Sequence, residues 1–125
     1  VKTRLAILLW AATPERPELC ATPFVHATAA AALDCEVEVH FTGRAARLLV
    51  AGVADQVLPT PGESKSAYRY MKEAANLGVR FIGCCMALHS QTQPGELYIP
   101  EYQGTATATD FVLRALDPEW RTLVF

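Results

Sequence analysis

No apolar run in this 125-residue chain approaches the roughly 20 residues that a membrane-spanning helix needs. Charge of one sign is equally scarce: 11 basic and 13 acidic side chains leave a net charge of −2. Nothing in that balance pulls the chain toward nucleic acid or an anionic membrane. There is no glycine-rich phosphate loop and no nucleophile-elbow serine. The lack of a Cys-x-x-Cys pair argues against a thioredoxin-like redox cycle. Repeats, linkers and low-complexity segments are missing too. Cysteines are few, at positions 20, 35, 84 and 85, and their spacing fits no secreted disulfide scaffold. The neighbouring pair is poorly placed to bridge, because adjacent α-carbons lie about 3.8 Å apart and a relaxed disulfide needs about 4.4 Å. Reduced thiols and a cytoplasmic location are therefore expected. Lys2 and Arg4 ahead of Leu5 to Ala12 imitate a signal peptide. The same stretch reads as a first buried strand, and a Pro-rich turn and a helix follow it directly.

What is present is an ordinary globular composition, 51% hydrophobic and 19% charged. One domain over residues 1–125 is expected, burying roughly two-thirds of the unfolded surface. Apolar runs alternate with helical patterns, the rhythm of βαβ units around a mainly parallel sheet. The first strand is read at Arg4 to Trp10 and an alanine-rich helix at Pro23 to Leu33. A second strand, Glu36 to Phe41, alternates Val37, Val39 and Phe41 with Glu36, Glu38 and His40. That alternation predicts one wet face, as at a sheet edge or an oligomer rim. A short helix at Arg44 to Leu49 and a long loop from Gly52 to Gly62 come next. Ala67, Tyr70, Met71, Ala74 and Leu77 then form a helical stripe that Gly78 stops. Val79 to Gly83 is the third strand, Tyr98 to Gln103 an extended piece, Thr107 to Leu116 a helix and Trp120 to Phe125 a closing strand. The fold class expected is a three-layer α/β/α sandwich on a mostly parallel five-stranded sheet.

In such sheets, sites lie beyond the carboxyl ends of the strands, and Cys84 and Cys85 occupy such an end. If a helix starts at Met86, its dipole and free N–H groups favour a thiolate beside them. Strand alternation sends the two side chains to opposite faces, so only one is expected to serve. Both also read as small core residues, since free cysteine is among the most buried types. His89, four residues after Cys85, shares its helix face and is a candidate partner for a thiolate–imidazole pair, or a plain surface histidine. A zinc site on Cys84, Cys85 and His89 is disfavoured because zinc sites rarely use neighbouring cysteines. Cys20 is read as a loop or core thiol, with a second thiol that receives or resolves sulfur as the alternative. Cys35 and His26 are expected to be inactive.

The segment GVRFIGCCMALH resembles the DsrE-like sulfur-relay family (DsrE, DsrF and TusD types): a hydrophobic strand, Cys-x-Met, then a helical turn. ILLWAATPERPEL, EVEVHFTGRAARLL, LYIPEYQGTATATDFVLRAL and WRTLVF follow in the family's order, so the resemblance covers nearly the whole chain. It implies a sulfur carrier or sulfurtransferase component that holds sulfane sulfur as a cysteine persulfide. Met86 aligns the family's cysteine with Cys84; because residue 85 is also a cysteine, Cys85 is the second choice. The resemblance further implies sulfur donor and acceptor proteins as partners, no metal or organic cofactor, and a homo-oligomer, trimer or hexamer. Two other readings remain open on the residues alone: a non-catalytic partner subunit or small-ligand-binding module of the same fold, and a thiol- or peroxide-reactive redox protein.

Overall fold

The computed structural model describes residues 3–125; Lys2, part of the signal-like pattern, lies outside the described residues. Five strands form one sheet: β1 (Arg4–Leu9), β2 (Glu36–Phe41), β3 (Arg80–Cys84), β4 (Tyr102–Ala106) and β5 (Trp120–Val124). Their order is β4-β3-β2-β1-β5, and every neighbouring pair is parallel. The connections carry α1 (Thr22–Ala32), α2 (Ala67–Asn76), α3 (Cys85–Gln91) and α4 (Ala108–Leu116). Three short 3₁₀ segments lie at Pro17–Leu19, Gly43–Leu49 and Ala54–Gln56. The architecture is the expected three-layer α/β/α sandwich.

The apolar side of the sheet follows from strand alternation. Leu5, Ile7 and Leu9 stand in register with Val37, Val39 and Phe41, all of them buried. Helices α1 and α2 cover them through Phe24, Ala27, Met71 and Ala74. Phe24, Phe41 and Phe81 form the aromatic centre, with ring centroids 5.4–6.0 Å apart. Burying each such ring stabilises the fold by about 1.5–3 kcal/mol. Local signals agree with this packing. Ser66 caps α2 through the Arg69 N–H, and Thr107 with Asp110 forms a reciprocal capping box on α4. Gly78 ends the α2 connection at φ 93°, a left-handed conformation that glycine adopts without strain.

Two expectations need correcting. Strand β2 is no edge: it is the middle strand of five, and Glu38 and His40 are buried at 1% and 4% exposure. The polar alternation marks a face covered by α4 and neutralised by arginines, not one left in water. The extended piece at Tyr98 to Gln103 also shifts. Tyr98 makes only an isolated antiparallel bridge to Val50, and the strand itself runs Tyr102–Ala106. Its residues, YQGTA, hold no apolar run, and its pairing with β3 is irregular between Phe81 and Gly83.

Candidate functional site at the carboxyl end of the third strand

Register fixes which side chains share the α4 side of the sheet. His40 pairs with Leu8 on one flank and Ile82 on the other, and Cys84 pairs with Ala106. Paired residues of parallel strands point the same way, and every second residue repeats the direction. Leu8, His40, Cys84 and Ala106 therefore converge on one side, and they line a cavity of about 200 Å³. Thr42 and the first turns of α4, Thr107 to Val112, close it. Most of its wall is hydrocarbon; His40 is its one ionisable group besides Cys84.

Cys84 is the last residue of β3 and the cap of α3, with φ −65° and ψ 124°. The preceding Gly83 lets α3 return closely over the strand: a Cβ at this position would meet Leu88 Cδ1 at 2.5 Å and Leu49 Cδ1 at 3.2 Å. Cys84 is partly exposed and Cys85 is exposed, and both thiols are free. An open cleft of about 730 Å³ beside the cavity is lined by Cys84, Cys85, Met86 and His89, together with Thr42 and Ala108. Cys84 borders both spaces, whereas Cys85 borders only the outer one. The structure thus brings Cys84, Cys85 and His89 to one cleft, with His89 exposed on α3. Among the described residues, no cluster of three or more His, Cys, Asp or Glu side chains is placed to hold a metal.

Glu38 and His40 were not singled out from the sequence as site residues. Behind the cavity, Glu38 Oε1 accepts from His40 Nε2 at 2.9 Å and from Arg114 Nε at 2.5 Å. Its Oε2 accepts from Arg80 at 2.5 Å and from the second arm of Arg114 at 3.3 Å. Burial alone would raise this carboxyl, but the hydrogen bonds from His40 and Arg114, with the charges of Arg114 and Arg80, hold it at about 2. The Arg114 guanidinium also stacks over Trp120, 5.0 Å from the ring centre, which fastens α4 to the sheet. The signal that could have found them is the Glu-x-His pattern alternating with valines in β2, which reads in sequence as a wet face.

The remaining candidates, Cys20, Cys35 and His26, line neither the cavity nor the cleft. Cys20 is fully buried, and its thiol donates to the carbonyl oxygens of Thr13 and Arg16 at 3.3 and 3.5 Å. Burial, reinforced by the charges of Glu18 and Glu15, pushes it up to about 12, the signature of a core thiol. His26 is exposed on α1 and bonds the Thr22 carbonyl at 2.8 Å. Cys35 is partly exposed and, like Cys84, packs against the core, but it lies ahead of β2, away from the strand's carboxyl end.

A parallel five-stranded α/β sandwich with a partly exposed cysteine at a strand end is the class of protein that fold and site define. No family model and no curated protein matches the sequence. Solved structures do match the fold. The ychN protein from E. coli superposes with a TM-score of 0.74 at 12% identity over 100% of both chains. MTH1491 from Methanobacterium thermoautotrophicum, a protein of unknown function, superposes with a TM-score of 0.69 at 14% identity, covering 99% of this chain and 100% of its own. The chain thus has the same fold as the ychN protein. At these identities the likeness speaks to the fold alone.

Proposed function

We propose that this protein is a sulfur carrier that holds sulfane sulfur as a persulfide on Cys84 and passes it to an acceptor thiol. One observation carries the reading: Cys84 stands at a strand end between an open cleft and a small apolar cavity. The cleft admits a donor or acceptor, and the cavity offers the transferred sulfur a place away from water. Partial exposure separates Cys84 from a packing residue such as Cys20 and favours the carrier over a non-catalytic partner subunit. The chemistry is thiol–disulfide exchange with sulfur as cargo. Cys84 attacks the outer sulfur of a donor persulfide, the donor leaves as a thiol, and an acceptor thiolate later removes the outer sulfur from Cys84. Cys85, exposed in the same cleft, is the second-choice thiol, and His89 flanks it. Four free thiols fit a reducing, cytoplasmic setting.

The carrier is further proposed to act as a homo-oligomer, a trimer or hexamer. Trp10 stays exposed, but Tyr68, Tyr70, Tyr98 and Tyr102 pack against the core, so these tyrosines are no argument for an interface. The argument passes to α4, which has no buried residue and leaves Val112, Leu113 and Leu116 50–76% exposed. A contiguous apolar helix face of this kind marks an interaction surface.

Onward transfer tests the reading. Protein loaded with a low-molecular-weight persulfide and freed of donor is mixed with cyanide, and thiocyanate is measured. Release by the wild type and none by Cys84→Ser is expected; equal release from both removes Cys84 from the role.

A further inference from the structure

We propose that His40 takes up and returns the proton of Cys84 through Nδ1, and that Glu38 is the positioning residue that holds the ring for this task. The proposal rests on the persulfide reading above and adds the group that handles its protons.

Geometry supplies the case. His40 and Cys84 come from adjacent strands on one face, offset by two residues, which puts their α-carbons about 8 Å apart across the cavity both line. Glu38, held at about 2, is a carboxylate at any working pH and can only accept. His40 Nε2 must therefore carry the hydrogen of the 2.9 Å bond, and in the neutral ring Nδ1 carries the lone pair. Nδ1 makes no hydrogen bond within the described chain. Yet among the described residues no fully buried side-chain nitrogen or oxygen lacks a partner. His40 lines the cavity, so Nδ1 is the ring atom left to meet whatever occupies it. The edge-to-face contact with Phe111, at 5.4 Å, holds the ring plane from the α4 side.

The charged groups around His40 come from three elements. Glu38 lies on its own strand, Arg80 and Cys84 on β3, and Arg114 and Asp110 on α4; β1 presents Leu8. The two guanidiniums hold Glu38 in place and ionised, and its Oε1 in turn fixes the orientation of the His40 ring through Nε2 without itself taking the proton.

The step balances without an oxidant or reductant. Nδ1 removes the Cys84 thiol proton, and the thiolate forms a bond to the outer sulfur of a donor R–S–SH. The donor's S–S bond breaks, its electron pair leaves on R–S⁻, and the His40 imidazolium returns the proton to give R–SH. Cys84–S–SH remains. The apolar walls slow the exchange of that proton with water.

His40→Gln keeps an amide donor for Glu38 at the place of Nε2 but cannot relay a proton. Two readouts apply to wild type and variant, once circular dichroism shows both folded: the pH profile of Cys84 alkylation by iodoacetamide, and the single-turnover rate of loading from glutathione persulfide. The variant is expected to lose the low-pH limb of the alkylation profile and to load about 10²-fold more slowly. Overlapping profiles and equal loading rates overturn the role of His40 and leave the carrier reading intact. A wild type that fails to load, with a profile that still depends on His40, keeps the pair and removes the carrier reading. A measurement free of any folding question uses ¹⁵N-histidine wild type. Alkylating Cys84 should move the His40 Nδ1 resonance and leave Nε2 near its place; an unmoved Nδ1 counts against the pair.

Discussion

Glu38 Oε1 and His40 Nε2 lie 2.9 Å apart on the buried face of the sheet's middle strand. The same carboxylate receives Arg80 from the neighbouring strand and Arg114 from the covering helix. One residue thus joins three elements, and the apolar cavity behind Cys84 is bounded by what it holds in place. Polar groups buried so deeply stabilise only while every partner is present.

That dependence gives a pH prediction. Glu38 sits at about 2 in the folded chain against an ordinary 4.5. A lowered carboxyl contributes stability that is present above the unfolded value and is lost as pH falls through the folded one. The contribution is about 3 kcal/mol near neutral pH. Glu38→Gln should lower the urea midpoint accordingly, and the gap from wild type should close between about pH 5 and about pH 2. A gap that stays constant over that range contradicts the account.

The thiols should differ sharply in reactivity. Cys20 is buried and pushed up to about 12, whereas Cys85 is exposed and Cys84 partly so. Brief treatment of the native protein with iodoacetamide near pH 8 is expected to label Cys85 and Cys84 and to spare Cys20 until denaturant is added. Peptide mapping reads the result. Labelling of Cys20 as fast as Cys85 in native protein would contradict its burial in the core.

Much of this architecture is legible in the residues. The alanine-rich run, the β-branched alternation of β2, the Gly78 stop and the strand leading into Cys84 each carry a local signal. Strand order does not, because it depends on which faces find partners at long range. The Glu36, Glu38 and His40 face therefore reads as solvent-facing in sequence, since its neutralising arginines lie 42 and 76 residues away from Glu38. The same distance hides His40 from the candidate site, whereas Cys84, Cys85 and His89 are close in sequence and reach one cleft. β4 escapes a sharp definition because its five residues include a glycine and two polar side chains with no apolar run.

Assembly should depend on α4. Light scattering is expected to give a multiple of the 13.6 kDa chain mass. Replacing the exposed Leu113 and Leu116 together by glutamate should shift it to the single-chain value, because neither side chain supports the monomer core. Wild type at 13.6 kDa at micromolar concentration removes the oligomer from the proposal.

Sulfur loading of Cys84 is the central claim, and intact-protein mass spectrometry after incubation with a persulfide donor tests it most directly. Wild type and Cys85→Ser are expected to gain about 32 Da, removable by reductant, and Cys84→Ser to gain nothing. Undiminished loading of Cys84→Ser with loss in Cys85→Ser would move the site by one residue, and no loading in any of the three proteins would contradict the carrier reading outright.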